Sequence, residues 1–245
     1  MSDCCTKGFK WDGEPQGRET TLSLNKAYVT GSNPDVAILV IHDLFGWTFP
    51  NIRLLADAYA DEANSTVYVP DFFDGEVLPS DILCKNPSEW GPLDLPNMTA
   101  RNSKAIREPE MIACATALRS QYKRVGAIGF CYGGWAVFRL GSRTNRGLVD
   151  CISTAHPSWL TKEEIQEVGV PVQILAPEID PVFTPELKEW SNRVIPRLGL
   201  DYDYQYFHGL EHAFAVRGNR DNAAEMKGLE RAKNAVVYWC KQWLH

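Results

Sequence analysis

Arg124-Val125-Gly126-Ala127-Ile128-Gly129-Phe130-Cys131-Tyr132-Gly133-Gly134-Trp135 joins a short apolar run to Gly-x-Cys-x-Gly, and then at once to a segment of helical pattern. A chain that turns from strand to helix within one residue holds that residue in a strained backbone conformation. Side chains two positions to either side would meet the neighbouring chain, which is why glycine stands there. The reversal is expected to leave the Cys131 sulfur exposed at the carboxyl end of the strand. A helix N-terminus lies beside it, and its dipole and free amides favour a thiolate and can receive an oxyanion. This is the nucleophile-elbow pattern with cysteine in the place of serine.

Outward from this point, apolar runs alternate with amphipathic ones. Strands are predicted at Val36–Ile41, Thr66–Val69, Val125–Phe130, Leu148–Ser153, Val172–Leu175 and Tyr202–Phe207. Helices are predicted at Asn51–Glu62, Arg107–Tyr122, Tyr132–Leu140, Lys162–Val168, Glu186–Ile195 and Ala223–Leu244, with the regular part of the second beginning near Pro109. Residues 75–97 are rich in Pro and Asp and read as irregular with room for one short helix. Residues 1–25 read as an irregular extension. The alternation implies one α/β domain over residues 1–245, with a mostly parallel central sheet covered by helices on both faces.

Of the 245 residues, 31 are acidic and 25 basic, a net charge of -6, and no basic cluster stands out. Nucleic acid is therefore not an expected partner. The first residues carry no apolar core of a secretory signal, and no run is long and apolar enough to span a bilayer. Seven scattered cysteines fit a reduced, cytoplasmic setting better than a disulfide framework. The expected state is monomer or homodimer.

Chemistry in such sheets gathers at the carboxyl ends of strands. Cys131 follows its own strand. Asp180 lies beyond Val172–Leu175, and His212 beyond the strand ending at Phe207. The order nucleophile, acid, histidine is the α/β-hydrolase order. Sulfur attacks well only as thiolate, so a histidine that takes its proton and a carboxylate that orients the imidazole are the partners it needs. The tetrahedral oxyanion needs two amides, and those of Tyr132 and Leu44 are the candidates. Glu178 and His208 are the rivals of Asp180 and His212. His42 reads as a core histidine bonded to backbone. His156 reads equally as pocket wall or structure. Phe45 and Trp90 are among the loop aromatics that could wall an apolar pocket. The other cysteines read as small buried hydrophobes.

The segments His42-Asp43-Leu44-Phe45-Gly46, Gly129-Phe130-Cys131-Tyr132-Gly133-Gly134 and Glu211-His212-Ala213-Phe214 resemble, in order, the motifs of the dienelactone hydrolase family. The resemblance extends from about Ala27 to Leu244. It implies an α/β-hydrolase fold, a Cys131, Asp180, His212 triad, and no metal or organic cofactor. The implied activity is hydrolysis of small lactones or activated esters, in the founding case the opening of carboxymethylenebutenolide to maleylacetate. In the founding bacterial enzymes the position of Asp43 holds a glutamate that touches the resting thiol, and arginines bind the substrate carboxylate. Asp43 is one methylene shorter, and Arg217 lies one position later than the family arginine. These two residues are thus candidates for modulating the thiol and binding substrate. The same departures motivate a second reading, a non-catalytic ligand binder or thiol redox sensor built on the same fold.

Overall fold

The computed structural model describes residues 8–79, 82 and 94–245. Eight strands form one sheet: β1 (Arg18–Leu22), β2 (Asn25–Thr30), β3 (Val36–Ile41), β4 (Thr66–Pro70), β5 (Arg124–Phe130), β6 (Cys151–Ala155), β7 (Val172–Ile179) and β8 (Tyr202–Glu211). Their spatial order is β1-β2-β4-β3-β5-β6-β7-β8. The strands from β4 through β3 to β8 pair in parallel, while β1–β2 and β2–β4 are antiparallel. Among the described residues seven α-helices accompany them: α1 (Pro50–Glu62), α2 (Leu95–Arg101), α3 (Lys104–Arg119), α4 (Gly133–Leu140), α5 (Lys162–Glu167), α6 (Pro185–Val194) and α7 (Ala223–Leu244). Helices α1 and α7 pack against each other, and α3, α4, α5 and α6 form a second contiguous group. Strand β3 is buried at all six positions and β5 at all but its first. That full burial is why both read as continuous apolar runs and not as alternating ones. Among the described residues no helix is long and apolar enough to cross a membrane.

Several predicted boundaries require correction, and one of them is β6, expected at Leu148–Ser153 and found at Cys151–Ala155, where its partners on β5 and β7 lie. Residues 1–25 are not irregular throughout, because β1 pairs along its length with β2, from Arg18 opposite Val29 to Leu22 opposite Asn25. The hairpin turns at Ser23-Leu24, with Ser23 at φ 55°, and this dipeptide lacks the Asn-Gly or Gly signal such turns usually carry. Helix α3 starts at Lys104 and continues through Pro109. It starts early because the Ser103 carbonyl already accepts the amides of Ile106 and Arg107. Strands β7 and β8 each run four residues beyond their predicted ends. Pro177 is tolerated because β7 pairs with β6 only as far as Leu175, so its missing donor faces no partner on that side. A register irregularity between Pro177 and Ile179 carries the pairing on to Glu211.

Candidate active site

The added strand length aligns the site. His42, Cys131, His156, Asp180 and His212 are each the first residue past β3, β5, β6, β7 and β8 respectively. Ile179 pairs with Glu211, which sets Asp180 beside His212. Phe130 pairs with Ala155, which sets Cys131 beside His156. Of the seven non-glycine residues with positive φ among those described, Cys131 (49°), His156 (41°), Trp159 (57°) and Ala213 (75°) sit at or just past these strand ends. Strain of this kind persists only where the surrounding structure enforces it.

At the elbow, the Cys131 amide donates to the Ala155 carbonyl at 3.3 Å, and the Gly134 amide caps the Cys131 carbonyl at 2.9 Å. A Cβ at Gly129 would lie 2.2 Å from the Gly133 carbonyl oxygen, and one at Gly133 would lie 2.2 Å from that of Ile41. Backbone therefore approaches backbone at both flanking positions, as the motif predicts. The sulfur, however, is not exposed: Cys131 retains 2% of its accessible surface. The segment after β6 folds back over it, with the Ser158 amide donating to the Cys131 carbonyl at 2.7 Å.

His212 Nδ1 lies 2.9 Å from Asp180 Oδ2. Both side chains are fully buried. The other oxygen of Asp180 accepts the amides of Val182 and Phe183, each at 2.9 Å. A carboxylate accepts but does not donate, so Nδ1 carries the hydrogen and Nε2 presents its lone pair. The Ser158 hydroxyl is 3.5 Å from His212 Nε2 and 3.2 Å from Cys131 Sγ. Among the described residues no direct bond joins Cys131 to His212; Ser158 stands between them. Ser158 belongs to no motif, so nothing in the local sequence marks it. The rival pair behaves differently. His208 Nδ1 lies 2.8 Å from Glu178 Oε2, but the histidine side chain is 85% exposed, at the surface.

The candidate oxyanion amides belong to the turn residue Tyr132, which precedes α4, and to Leu44 after β3. The adjacent Phe45 amide is taken by Asp43 Oδ1 at 2.9 Å, and the Gly46 amide by the Asp43 carbonyl at 3.1 Å. Among the described residues neither the Leu44 nor the Tyr132 amide has such an acceptor.

Asp43 and Arg217 meet each other, Oδ2 to Nε at 3.5 Å, with side chains only 1% exposed. The arginine also stacks over Phe45, its guanidinium carbon 5.0 Å from the ring centroid. The structure thus directs the Asp43 carboxylate toward Arg217, while the thiol bonds Ser158. Phe45 is itself buried and packs on Phe49 at 5.0 Å. Trp90 lies outside the described residues, as do Cys4, Cys5 and Cys84. Burial pushes the Cys114 and Cys240 thiols up to about 12 and the Cys151 thiol well above its usual range, as expected for inert core thiols. Among the described residues no cluster of three His, Cys, Asp or Glu could hold a metal ion.

His42 is a satisfied core histidine. Its Nδ1 lies 2.8 Å from the Asp43 carbonyl, and its Nε2 accepts the Phe72 amide at 3.3 Å. His156 is packed between His212 (centroids 4.9 Å) and Phe214 (5.7 Å). Burial, the largest cause in each case, lowers both imidazole pKa values below the ordinary 6.5. Both rings are therefore held neutral, and below pH 6.5 the unfolded chain binds more protons than the folded one. Their contribution is fully present above pH 6.5. It is lost as pH falls below that value, at up to about 1.4 kcal/mol per pH unit for each histidine. The expected result is a lower urea midpoint at pH 5.5 than at pH 7.5, with His156→Phe showing a shallower dependence. Equal midpoints at the two pH values would contradict this account.

The family model of the dienelactone hydrolase family matches residues 26–244. The hydrolase pyvD of Aspergillus violaceofuscus is 30% identical, covering 99% of this chain and 97% of its own length. The human carboxymethylenebutenolidase homolog is 29% identical, covering 98% and 96%. The crystal structure of a dienelactone hydrolase from Anabaena variabilis superposes with a TM-score of 0.65 at 12% identity, covering 95% of this chain and 99% of the other; this likeness concerns the fold. With the strand-end site in the same order as the motifs, and with a family match over nearly the whole chain, this protein belongs to the dienelactone hydrolase family of ester and lactone hydrolases.

Proposed function

We propose that the chain hydrolyses small lactones or activated esters by covalent thiol catalysis, with Cys131 as nucleophile, His212 as base and Asp180 as the group that orients it. The substrate carbonyl sits between the Leu44 and Tyr132 amides. The Cys131 thiolate attacks the carbonyl carbon, and the carbonyl electron pair moves to oxygen, where the two amides stabilise the oxyanion. Collapse breaks the acyl C–O bond and releases an enolate or phenolate, which needs little help to depart and then takes up the proton held on His212, leaving the imidazole neutral. Water then attacks the thioester, giving its proton to His212, and the acid leaves as the thiol is restored.

The observation that carries this reading is the buried Asp180–His212 pair, whose Nε2 lone pair points at the hydroxyl that bonds Cys131. The dienelactone-like substrate class is supported by the family match and by the relatives' names. A substrate panel tests it. Enol-lactones and aryl esters are expected to react at least about a hundredfold faster than an alkyl ester of the same acid. The reason is that the tetrahedral intermediate expels thiolate in preference to an unprotonated alkoxide. Equal rates would remove the proposed route. A strong preference for neutral aryl esters over carboxylated enol-lactones would remove the lactone assignment and leave the mechanism standing.

A further inference from the structure

We infer that Ser158 relays the proton of the Cys131 thiol to His212. The inference rests on the proposed nucleophile and base, and adds the path between them. The donors along the path have one consistent direction. Asp180 fixes the hydrogen on His212 Nδ1, so Nε2 must accept. The group facing Nε2 is the Ser158 hydroxyl at 3.5 Å, which therefore donates to it. Having given its hydrogen to the imidazole, Ser158 Oγ is left as the acceptor for the thiol at 3.2 Å. Ser158 also cannot drift from this position. Its own amide is bonded to the Cys131 carbonyl at 2.7 Å, so the hydroxyl is referenced to the residue whose proton it takes. It is 7% exposed, which keeps competing water sparse.

The step balances. The S–H bond breaks and its proton joins Ser158 Oγ, while the original serine proton leaves Oγ for His212 Nε2. The products are a thiolate, an imidazolium beside the Asp180 carboxylate, and an unchanged serine. The 3.5 Å link is long for a hydrogen bond, but proton-transfer contacts often tighten when substrate binds.

The experiment is iodoacetamide alkylation of Cys131, followed by peptide mass from pH 5 to 9, in wild type, Ser158→Ala and Ser158→Thr. Ser158→Ala is expected to slow alkylation at pH 7 by at least about tenfold and to move the midpoint of the pH profile upward. Ser158→Thr keeps a hydroxyl and is expected to restore both. Loss of the side chain opens space around the sulfur, and a purely steric role would raise the rate, so the sign of the change discriminates. A profile in Ser158→Ala that overlays wild type overturns the relay. If that variant does not fold, the wild-type enzyme alone suffices. In mixed light and heavy water, the acylation burst on an aryl ester is expected to give a bowed proton inventory, because two protons move; a linear one also overturns the relay. Alkylated protein that still hydrolyses ester would instead remove Cys131 as nucleophile, so the two failures are distinguishable.

Discussion

Cys131→Ser is expected to lower kcat/KM toward an aryl ester by at least about 10³-fold, equivalent to about 4 kcal/mol of lost transition-state stabilisation. The substitution is nearly isosteric, and the elbow, the oxyanion amides and the Asp180–His212 pair should survive it. What changes is the acidity of the attacking group. A thiol gives a usable fraction of thiolate near neutral pH, whereas an alcohol ionises only as it attacks and needs a base in direct contact with it. Here the imidazole reaches Cys131 through Ser158, at 3.2 and 3.5 Å. That geometry suits transfer from an acidic thiol before attack better than concerted deprotonation of an alcohol. Steady-state kinetics with a thermal melt on the same sample checks the prediction. Wild-type acylation should also leave a mass increase on the Cys131 peptide that decays in water, whereas the serine variant should not accumulate one. Activity within tenfold of wild type would mean that the sulfur is not the nucleophile. A thiol that could be oxidised but not acylated would favour the sensor reading.

Gly133→Ala is expected to destabilise the chain by more than about 3 kcal/mol, enough to lose much of the folded population of a marginally stable protein. The new Cβ would stand 2.2 Å from the Ile41 carbonyl oxygen and 2.9 Å from its carbon. These are backbone atoms of β3, and Ile41 is in register with Gly129 of β5. Relief therefore requires either shifting the central strands or pulling α4 off the elbow, and overpacking of this kind has no flexible side chain to absorb it. Gly147→Ala provides the comparison. Its φ is 91°, yet nothing lies within 4 Å of the added carbon, so only the backbone preference opposes it, at about 1–2 kcal/mol. Urea midpoints of the two variants against wild type measure the difference. A Gly133→Ala protein as stable as Gly147→Ala would show that the tight helix-to-strand approach at the elbow is not required.

Much of this was open to inspection in the chain itself. Val36–Ile41 and Val125–Phe130 could be placed within a residue because they are buried on both faces, and full burial writes a continuous apolar run. The elbow was readable because a one-residue reversal admits few residue types at its flanks. The N-terminal hairpin was not, since Ser23-Leu24 bears no turn signal and the sheet edge makes up for it. Nor was Ser158, which reaches the sulfur only because the chain beyond β6 doubles back onto Cys131.

Asp43 and Arg217 make the same point for charge. Each could be marked as a candidate from its place beside a motif, but the structure brings them against one another, 174 positions apart in the chain and buried. Local chain chemistry was enough to establish the fold class, the reversal at Cys131 and the order of sulfur, carboxylate and imidazole, because strand burial and turn sterics act between near neighbours. The length of β7 and β8, the contact of Asp180 with His212 and the serine between imidazole and thiol arose from pairing across strands. Such pairing depends on which distant segments share a register, a quantity that no window of adjacent residues contains.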